Sequence, residues 1–314
     1  MKLTKNLKQI KSDASFRYFF RNKKKKLSSV IVYAKKDKRL NLLTYDAINK
    51  ILIKNNILAP KLINENYAKN FIEIQDLGNQ TVFSFLKNKN KNKLLIFKKI
   101  INLLNKIQLI KDKKVINFKK QNYIVPKYSS EILLDEAKLF SAWYAPQVVP
   151  QANQSKFKKN YEKVIKILIK KITLKNDTFV HRDFHVSNLM LMNNKIGVID
   201  TQDALFGNSA YDLASLIDDV RFETSNILKE KIFYIYLRSN KKLNIKKFRN
   251  DFEIISVLRN LKIIGIFTRL AMRDNKKDYL KLIPYTWSLI RLRSQNNKIF
   301  KELNSLLDKN FNKK

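Results

Sequence analysis

The sequence predicts an α+β protein with a small, antiparallel, β-rich N-terminal lobe and a large, mainly helical C-terminal lobe. Two observations predict this fold class. Before residue 77, short runs of β-branched and aromatic residues are separated by turn-forming residues, which is typical of a β-rich lobe. After Gly78, apolar residues recur every three or four positions over long stretches, which is typical of amphipathic helices. We expect the joint between the lobes at residues 77–80.

The N-terminal lobe is expected to hold one main helix among its strands. Leu40, Leu43, Ala47, Ile48 and Ile51 fall on one helix face, because residues three and four apart are neighbours on a helix surface. The expected elements are, in order, a short amphipathic helix at 1–11, a turn at 12–15, strands at 16–20 and 27–33 around a lysine-rich turn at 23–26, a helix at 38–55 and a strand at 71–74.

The C-terminal lobe is expected to be helical except for one hairpin. Two short apolar segments, 189–192 and 196–199, flank Asn193 and Asn194, and asparagine-rich connections of this length are typical of β-hairpins. The expected helices lie at 94–110, 130–144 and 157–172, and helices resume at about Ala210.

The composition limits the classes of protein that fit. The chain has 314 residues, 65 of them Lys or Arg and 26 Asp or Glu, so its formal net charge is +39. This surplus invites a nucleic-acid-binding hypothesis. The lysines are spread through every segment, so no specific nucleic-acid partner is expected. The absence of cysteine excludes disulfides and thiolate zinc sites and fits the cytoplasm. No apolar run approaches the roughly 20 residues of a membrane span.

One segment departs from this lysine-rich composition. Residues 176–220 hold seven Asp but only two basic residues, Arg182 and Lys195, which leaves a local charge of −5. This local charge indicates selection against cationic side chains. A site for a divalent metal ion would have this effect, because hard cations prefer carboxylate oxygens.

Both histidines of the chain lie in this segment, in a His-x-Asp-x-x-x-x-Asn pattern that begins at His181. The expected hairpin and then Asp200 follow it. This order fits phosphoryl transfer from ATP, which needs an aimed acceptor hydroxyl and metal ions held on the phosphates. Asp183 would orient and deprotonate the acceptor, Asn188 would offer a neutral oxygen to Mg²⁺, and Asp200 would bridge metal and phosphates. His181 is expected to brace the loop by hydrogen bonds.

Four other aspartates of the segment carry less specific expectations. Asp177 is expected in a solvated turn, and Asp218 and Asp219 are expected on a helix surface. Asp212 opens a helix, where its carboxylate would favour the helix dipole. Alternatively, Asp212 is a buried brace that accepts hydrogen bonds from the catalytic loop.

The acidic segment carries three motifs, HRDFHVSNLM at 181–190, IDTQDA at 199–204 and GNSAYDLASL at 207–216. Together they resemble the aminoglycoside phosphotransferase/choline kinase superfamily. Three further patterns resemble its bacterial anomeric kinases of N-acetylmuramate and N-acetylglucosamine. These patterns are SDASFRYFFR at 12–21, IEIQDLG at 72–78, and Glu136, Phe140, Trp143 and Tyr144 at helical spacing.

The resemblance implies a protein-kinase-like bilobal fold that forms one phosphotransferase domain, with ATP and Mg²⁺ as cofactors. Residues 1–76 would be the small nucleotide-binding lobe, 77–80 the hinge and 81–314 the helical catalytic lobe. The turn at 12–17 has no glycine, so Ser15 and Arg17 would contact the phosphates through their side chains. Adenine would lie against 73–76, with Glu73 and Gln75 as its contacts.

The resemblance also implies supporting and acceptor-side residues. Asp203 and Asp212 would be supporting carboxylates, and Glu136 and Trp143 would lie on the acceptor side. For Trp143, Phe140 and Tyr144, ordinary helix core is an equally open alternative.

One departure from the kinase pattern concerns the lysine on the third strand, which kinases pair with a helix glutamate. Tyr33 occupies the expected place of that lysine, and the following helix has Asp46 as its one acid. Lys35 or Arg17 would then supply the phosphate contact.

The sequence thus predicts a cytoplasmic, Mg-ATP-dependent small-molecule kinase. The expected acceptor is an amino sugar, N-acetylmuramate or N-acetylglucosamine, in cell-wall recycling. One alternative is a kinase for another small molecule, such as choline or an aminoglycoside. The other is a non-catalytic nucleotide- or nucleic-acid-binding protein on the same fold. The missing strand lysine and the net charge favour that alternative, whereas the joint presence of Asp183, Asn188 and Asp200 argues against it.

Overall fold

The computed structural model describes residues 7–10, 17–23, 28–87 and 92–311. The chain divides into two units, one formed by Met1–Pro126 with Thr178–Phe206 and the other by Lys127–Asp177 with Gly207–Lys314. The predicted catalytic loop therefore belongs with the N-terminal unit. The three-part division predicted from the sequence groups these segments differently, and it stays a prediction.

The first unit is built on a five-stranded antiparallel sheet. The strands lie in the order β1-β2-β3-β5-β4. They are β1 (Leu7–Ile10), β2 (Tyr18–Lys23), β3 (Ser28–Tyr33), β4 (Leu62–Asn66) and β5 (Phe71–Gln75). The predicted pairing of the second and third strands and the strand predicted at 71–74 are confirmed. The turn predicted at 12–15 and residues 24–26 of the lysine-rich turn lie outside the described residues.

The helix predicted at 1–11 is wrong for the part of it that the structure describes. Residues 7–10 form β1, which pairs with β2 from Leu7 opposite Asn22 to Ile10 opposite Phe19. Pairing with a neighbouring strand outweighs local helical periodicity, because tertiary context overrides propensity. β4 was not expected either, since three of the five residues in its sequence, LINEN, are polar.

One face of this sheet packs against helix α1 (Leu40–Lys54), which confirms the helix predicted at 38–55. Successive side chains of a strand point to opposite faces, so alternate residues of β3 and β5 share this buried face. The core cluster there contains Val30, Val32, Leu42, Tyr45, Ile72 and Ile74.

The first unit also contains two more helices and two strand pairs. They are α2 (Val82–Leu86), α3 (Lys93–Gln108), the pair β6 (Lys114–Ile116) and β7 (Asn122–Ile124), and the pair β9 (Leu189–Met192) and β10 (Lys195–Val198). A further strand pair consists of β8 (Asn176–Val180) and β11 (Leu205–Asn208). The boundary between the two units falls within both of these strands.

The β9–β10 hairpin confirms the prediction at 189–199. Asn193 (φ 48°) and Asn194 (φ 61°) are both left-handed, as a two-residue type I′ turn requires. A side chain on Gly197 would place its Cβ 2.9 Å from Cγ of Leu58. The hairpin therefore packs directly on the segment that precedes β4.

The second unit is helical. Its helices are α4 (Ser130–Leu139), α5 (Ala145–Val148), α6 (Gln151–Lys170), α7 (Ala210–Ile217), α8 (Asn226–Ser239), α9 (Ile245–Arg273), α10 (Ile283–Ser294) and α11 (Lys301–Phe311). Helix α9 is central and packs against α4, α7 and α10. Among the described residues, no helix combines the length and the apolar character needed to cross a bilayer.

The helix predicted at 130–144 changes its winding at Phe140. From Phe140 to Tyr144 the chain forms a π-helical turn that packs against α9. A Cβ on Gly265 of α9 would lie 2.3 Å from the carbonyl carbon of Leu139, so glycine is needed for this close approach. The ring of Phe140 stacks on Tyr161, with centroids 5.4 Å apart, and also contacts Tyr144, Phe157, Trp287 and Phe311.

The prediction that Asp218 and Asp219 lie on a helix surface is wrong. Their exposed fractions are 0% and 1%. Asp218 follows the last residue of α7 and pairs with Arg293 (Nε to Oδ2, 2.9 Å) and Lys229 (Nζ to Oδ1, 3.5 Å). A buried carboxylate is tolerable when cations neutralise it. Asp177 is exposed as predicted, although it lies in β8 rather than in a turn.

Candidate active site

The predicted catalytic loop connects β8 to β9. His181, the first residue after β8, is buried, and its Nε2 donates a hydrogen bond to the carbonyl of Ile199 (3.1 Å). This contact ties the start of the loop to the residue that precedes Asp200. Bracing of the loop by His181 remains a prediction that this geometry fits.

Asp183 and Asn188 are joined by a hydrogen bond. Nδ2 of Asn188 donates to the main-chain carbonyl of Asp183 (3.1 Å) and lies 3.3 Å from Nε2 of His185. Because the amide nitrogen faces the loop, Oδ1 of Asn188 is the atom that can bind a cation. The carbonyl of Asn188 accepts from the N–H of Ile199 (3.0 Å), so the loop lies beside the strand end that leads to Asp200.

Apart from the turn at Asn193 and Asn194, two residues between 181 and 203 have left-handed backbones without being glycine. They are Arg182 (φ 72°) and Asp200 (φ 63°). This conformation costs roughly 1–3 kcal/mol for a residue with a side chain and is found preferentially at functional sites. The strain therefore lies on both segments that carry the predicted catalytic groups.

Arg17 connects Asp200 to the residues that follow it. Its guanidinium forms an ion pair with Asp200 and donates to Oε1 of Gln202 (2.6 Å). Nε2 of Gln202 in turn donates to Oδ2 of Asp203 (2.6 Å), and Nη1 of Arg182 donates to the carbonyl of Asp203 (3.5 Å). The structure thus brings together three predicted site residues, Arg17, Asp200 and Asp203. Gln202, to which the sequence analysis gave no role, connects Arg17 to Asp203.

Helix α1 supplies a polar support beneath this ion pair. Thr201 donates to Oδ1 of Asn49 (2.7 Å), and the ring of Tyr45 lies under Arg17, 5.7 Å from its guanidinium carbon. Burial raises the pKa of Tyr45 to about 12 against the lowering effect of Arg17, so its hydroxyl is protonated at neutral pH. Asp46, the one acidic residue of α1, forms an ion pair with Lys50 on the same helix (2.8 Å).

The residues predicted to contact adenine lie on β5. Glu73 is buried and accepts a hydrogen bond from Ser29 Oγ, and Gln75 is half-buried opposite Ser29 on β3. Ser15, predicted to contact phosphate, lies outside the described residues.

An unpredicted clamp holds the segment that follows β5. Arg21 donates to both carboxylate oxygens of Asp76 (2.6 and 3.0 Å) and to the carbonyl of Gly78 (2.9 Å). Burial raises the pKa of Asp76, but hydrogen bonds from Arg21, Ser28 and the Gly78 N–H outweigh it and hold that pKa below its usual range. The backbone of Gly78 is left-handed (φ 94°), a conformation that glycine adopts without steric cost. Arg21, Asp76 and Gly78 all lie in motifs that carried the family resemblance.

The remaining predicted site residues belong to the second unit. Glu136 accepts hydrogen bonds from the hydroxyl of Tyr128 and from Nζ of Lys262 (2.9 Å). Lys262, on α9, was missed because no spacing signal marks it among so many lysines. Trp143 is half-buried, whereas its neighbours Phe140 and Tyr144 join the aromatic core described above. Asp212 is fully buried in the first turn of α7.

Asn188 and Asp200 fit a magnesium ion by the chemistry of their donors. Both offer oxygen atoms, and Mg²⁺ is usually held by one or two carboxylates together with substrate phosphates. In the part of the chain that the structure describes, no cluster of three or more His, Asp or Glu residues forms an all-protein metal cage.

Known proteins resemble this chain over most of its length. The model of the phosphotransferase enzyme family matches residues 6–240. The N-acetylmuramate/N-acetylglucosamine kinase of Neisseria meningitidis serogroup B is 28% identical over 289 residues, 89% of this chain and 83% of that protein.

Solved structures show the same fold. The ethanolamine kinase of Plasmodium vivax has a TM-score of 0.63 at 14% identity, over 92% of this chain and 84% of that one. The ADP-bound aminoglycoside phosphotransferase APH(2'')-Ib has a TM-score of 0.60 at 18% identity, over 92% and 95%. These matches confirm the predicted α+β, protein-kinase-like fold class.

Proposed function

Because this chain belongs to the phosphotransferase enzyme family, we propose that it transfers the γ-phosphoryl group of ATP to the anomeric hydroxyl of N-acetylmuramate or N-acetylglucosamine. The family makes it a small-molecule kinase. The name of the Neisseria relative supports the amino-sugar acceptor, and the ADP-bound neighbour supports ATP. In this proposal the enzyme acts in the cytoplasm, in cell-wall recycling.

The observation that best supports phosphoryl transfer is the hydrogen-bonded arrangement of Asp183, Asn188 and the strand end before Asp200. In the proposed reaction, the half-buried carboxylate of Asp183 accepts the hydroxyl proton of the sugar. The sugar oxygen bonds to the γ-phosphorus while the bond from that phosphorus to the oxygen of the leaving ADP breaks.

Asn188, through Oδ1, and Asp200 would hold Mg²⁺ in this reaction. When bound, the ion neutralises charge that develops on the phosphate oxygens. His181, Asp203 and Asp212 are proposed as supporting residues. His181 and Asp212 are buried, and Asp203, although exposed, accepts a hydrogen bond from Nε2 of Gln202, which suits residues that hold the loop rather than residues that react.

The nucleotide and acceptor sides complete the proposal. Ser15, Arg17, Glu73 and Gln75 would contact ATP. Glu136 and Trp143 would contact the sugar. The ion pair of Glu136 with Lys262 supports a polar acceptor site, since sugar hydroxyls can exchange hydrogen bonds with both charged groups.

The decisive experiment measures ADP release from Mg-ATP with N-acetylmuramate, N-acetylglucosamine, choline and kanamycin offered separately. We expect turnover with the amino sugars alone. Asp183→Asn should lower kcat by about 10²- to 10⁴-fold, the usual contribution of a general base. Asp177→Asn is the matched control, because Asp177 is an exposed aspartate of the same segment, and it should retain full turnover.

The other outcomes separate the parts of the proposal. Turnover with choline or kanamycin instead would keep the kinase mechanism and discard the amino-sugar acceptor. Full activity of Asp183→Asn would discard Asp183 as the base. A ³¹P spectrum of the product identifies the hydroxyl, because only an anomeric phosphate couples to the anomeric proton of the sugar.

A further inference from the structure

The second unit contains a buried arginine that has no counter-ion. Arg259 of α9 is 6% exposed, and its Nη1 has no hydrogen-bond partner in the part of the chain that the structure describes. The two other arginines that are buried to this degree, Arg17 and Arg293, each pair with an aspartate. No such pair forms at Arg259 among the described residues. A buried charge is costly unless it is neutralised, so this guanidinium lowers the stability of the free protein.

The neighbours of Arg259 on α9 place it against α7. Residues three apart are neighbours on a helix surface, so Arg259 lies between Ser256 and Lys262. Ser256 donates to Oδ2 of Asp218 (2.6 Å), just after the end of α7. Nζ of Lys262 donates to the hydroxyl of Tyr211 (3.4 Å), near the start of α7. The face of α9 that carries Arg259 therefore also packs on α7.

Ser215 of α7 lies at the same level as Arg259. The two contacts above run the helices antiparallel, and Ser215 lies between Tyr211 and Asp218 just as Arg259 lies between their partners. Ser215 is fully buried, and its Oγ has no hydrogen-bond partner among the described residues. Two buried donors, a guanidinium and a hydroxyl, therefore remain unsatisfied between the same two helices. A carboxylate would satisfy both, since its oxygens accept several hydrogen bonds and its charge balances the arginine.

The carboxylates of the chain in this region do not fill that role. Asp218 and Glu136 already pair with other cations. Asp219 is also buried, but its Oδ2 contacts no hydrogen-bond donor of the described residues and so does not reach Arg259. A carboxylate that neutralises Arg259 must therefore belong to a bound molecule.

The polar face of α9 opens towards solvent next to Arg259. Lys262, three residues along the helix, and its partner Glu136 have side chains that are 16% and 13% exposed. Glu136 is the residue proposed above to contact the sugar. A sugar bound there can extend a substituent of a few atoms to Arg259, because the Cβ atoms of residues three apart on a helix lie about 5–6 Å from each other.

We propose that Arg259 binds a carboxylate of the acceptor sugar and that Ser215 is a second donor to it. This inference rests on the proposed function and deepens it. Of the two proposed acceptors, only N-acetylmuramate carries a carboxylate, on its lactyl ether. Arg259 is then the residue that makes the enzyme prefer this sugar acid to N-acetylglucosamine. Arginine suits the role because its planar fork matches the two oxygens of a carboxylate.

The test compares kcat/KM for N-acetylmuramate and N-acetylglucosamine at saturating Mg-ATP. Wild-type enzyme should prefer N-acetylmuramate. Arg259→Met should lower kcat/KM for N-acetylmuramate by about 10- to 100-fold, mainly through KM, as expected for the loss of hydrogen bonds to a charged group. The value for N-acetylglucosamine should stay within about twofold. Arg273→Met is the matched control, because Arg273 is an exposed arginine of the same helix, and it should change neither value.

Thermal unfolding of the ligand-free variant separates binding from a structural role of Arg259. The methionine replaces a buried charge that lacks a counter-ion, so Arg259→Met should raise the melting temperature. A lower melting temperature together with equal losses of kcat/KM for the two sugars would show a purely structural arginine and overturn the proposal.

A second variant keeps the proposal falsifiable if Arg259→Met does not fold. The hydroxyl of Ser215 has no hydrogen bond to lose among the described residues, so Ser215→Ala should fold. It should lower kcat/KM for N-acetylmuramate about 3- to 10-fold and leave that for N-acetylglucosamine unchanged. A wild-type enzyme without preference between the sugars, or equal losses for both sugars in Ser215→Ala, would overturn the proposal. Wild-type enzyme that turns over neither sugar would instead overturn the proposed function.

Discussion

The side chain of Asp218 is charged, and the sequence of its own segment does not predict which residues surround it. Its carboxylate contacts Arg293, Lys229 and the hydroxyl of Ser256 (2.6 Å), which come from three helices. Burial raises the pKa of Asp218, but the two cations and the hydroxyl outweigh burial and hold that pKa below its usual value. A folded-state pKa below the unfolded one gives stability above about pH 4, which is lost as the pH falls through the folded value.

Asp218→Asn should therefore lower the free energy of unfolding at pH 7 by about 3–5 kcal/mol, because it leaves two buried cations without their carboxylate. At pH 3 the difference from wild type should shrink, since the native carboxylate also becomes protonated as the pH falls. Urea denaturation followed by circular dichroism at the two pH values measures the free energy of unfolding of both proteins.

Glu162→Gln serves as the control for Asp218→Asn. Glu162 pairs with Lys166 on the surface of α6 (2.7 Å), and exposed pairs contribute little, so its denaturation curve should barely move. Equal destabilisation of Asp218→Asn at pH 7 and pH 3 would contradict the assigned ion pair.

At the scale of elements, the approach of α9 to the π-helical turn depends on a single position. Gly265 lies in the middle of a 29-residue helix, where glycine is ordinarily a poor choice. Glycine is needed at this position because the backbone of Leu139 occupies the space that the methyl group of an alanine would fill.

Gly265→Ala should consequently destabilise the protein by about 1–3 kcal/mol or more, the usual cost of overpacking. This sign is diagnostic, because an alanine in an uncrowded helix interior would stabilise it by about 0.5–1 kcal/mol. Thermal unfolding measures the difference. In Gly78→Ala, used for comparison, no atom lies within 4 Å of the added Cβ, so only backbone strain opposes the change. A raised melting temperature for Gly265→Ala would refute the close contact.

The elements that sequence reasoning predicted are those with a local cause. Helix α1 follows from apolar spacing, and the β9–β10 hairpin follows from two asparagines that accept left-handed backbones. β1 was missed because four residues at a sheet edge are stabilised by β2 rather than by their own pattern. In the candidate site, the positions of Asp183, Asn188 and Asp200 were marked by a motif. The contact of Arg17 with Gln202 joins residues 185 positions apart, and no local pattern encodes it.

At the scale of the whole molecule, the charge of +39 affects every encounter with a polyanion. One face of α6 alone presents Lys159, Lys163, Lys166 and Lys170. Such surfaces bind nucleic acid mainly by releasing counterions, and this binding is steeply salt-dependent. The prediction that there is no specific nucleic-acid partner can be tested in these terms.

We expect duplex DNA to bind without sequence preference and to lose at least about 100-fold in affinity between 50 and 200 mM salt. Fluorescence anisotropy with two unrelated duplexes measures both properties. Turnover with the proposed amino-sugar acceptor over the same salt range is the control and should change far less. Binding that discriminates between the duplexes, or that survives high salt, would contradict an incidental, charge-driven interaction.

The ion pair between Arg17 and Asp200 spans 183 positions, and this separation has a consequence during protein synthesis. A ribosome adds about 5–20 residues per second, so roughly 10–40 s pass between the synthesis of the arginine and that of its aspartate. In that interval, residues 127–177 of the second unit are also made. The candidate site is therefore assembled only after translation has passed Asp203, and a nascent chain that stalls earlier carries the N-terminal sheet without the carboxylates of the candidate site.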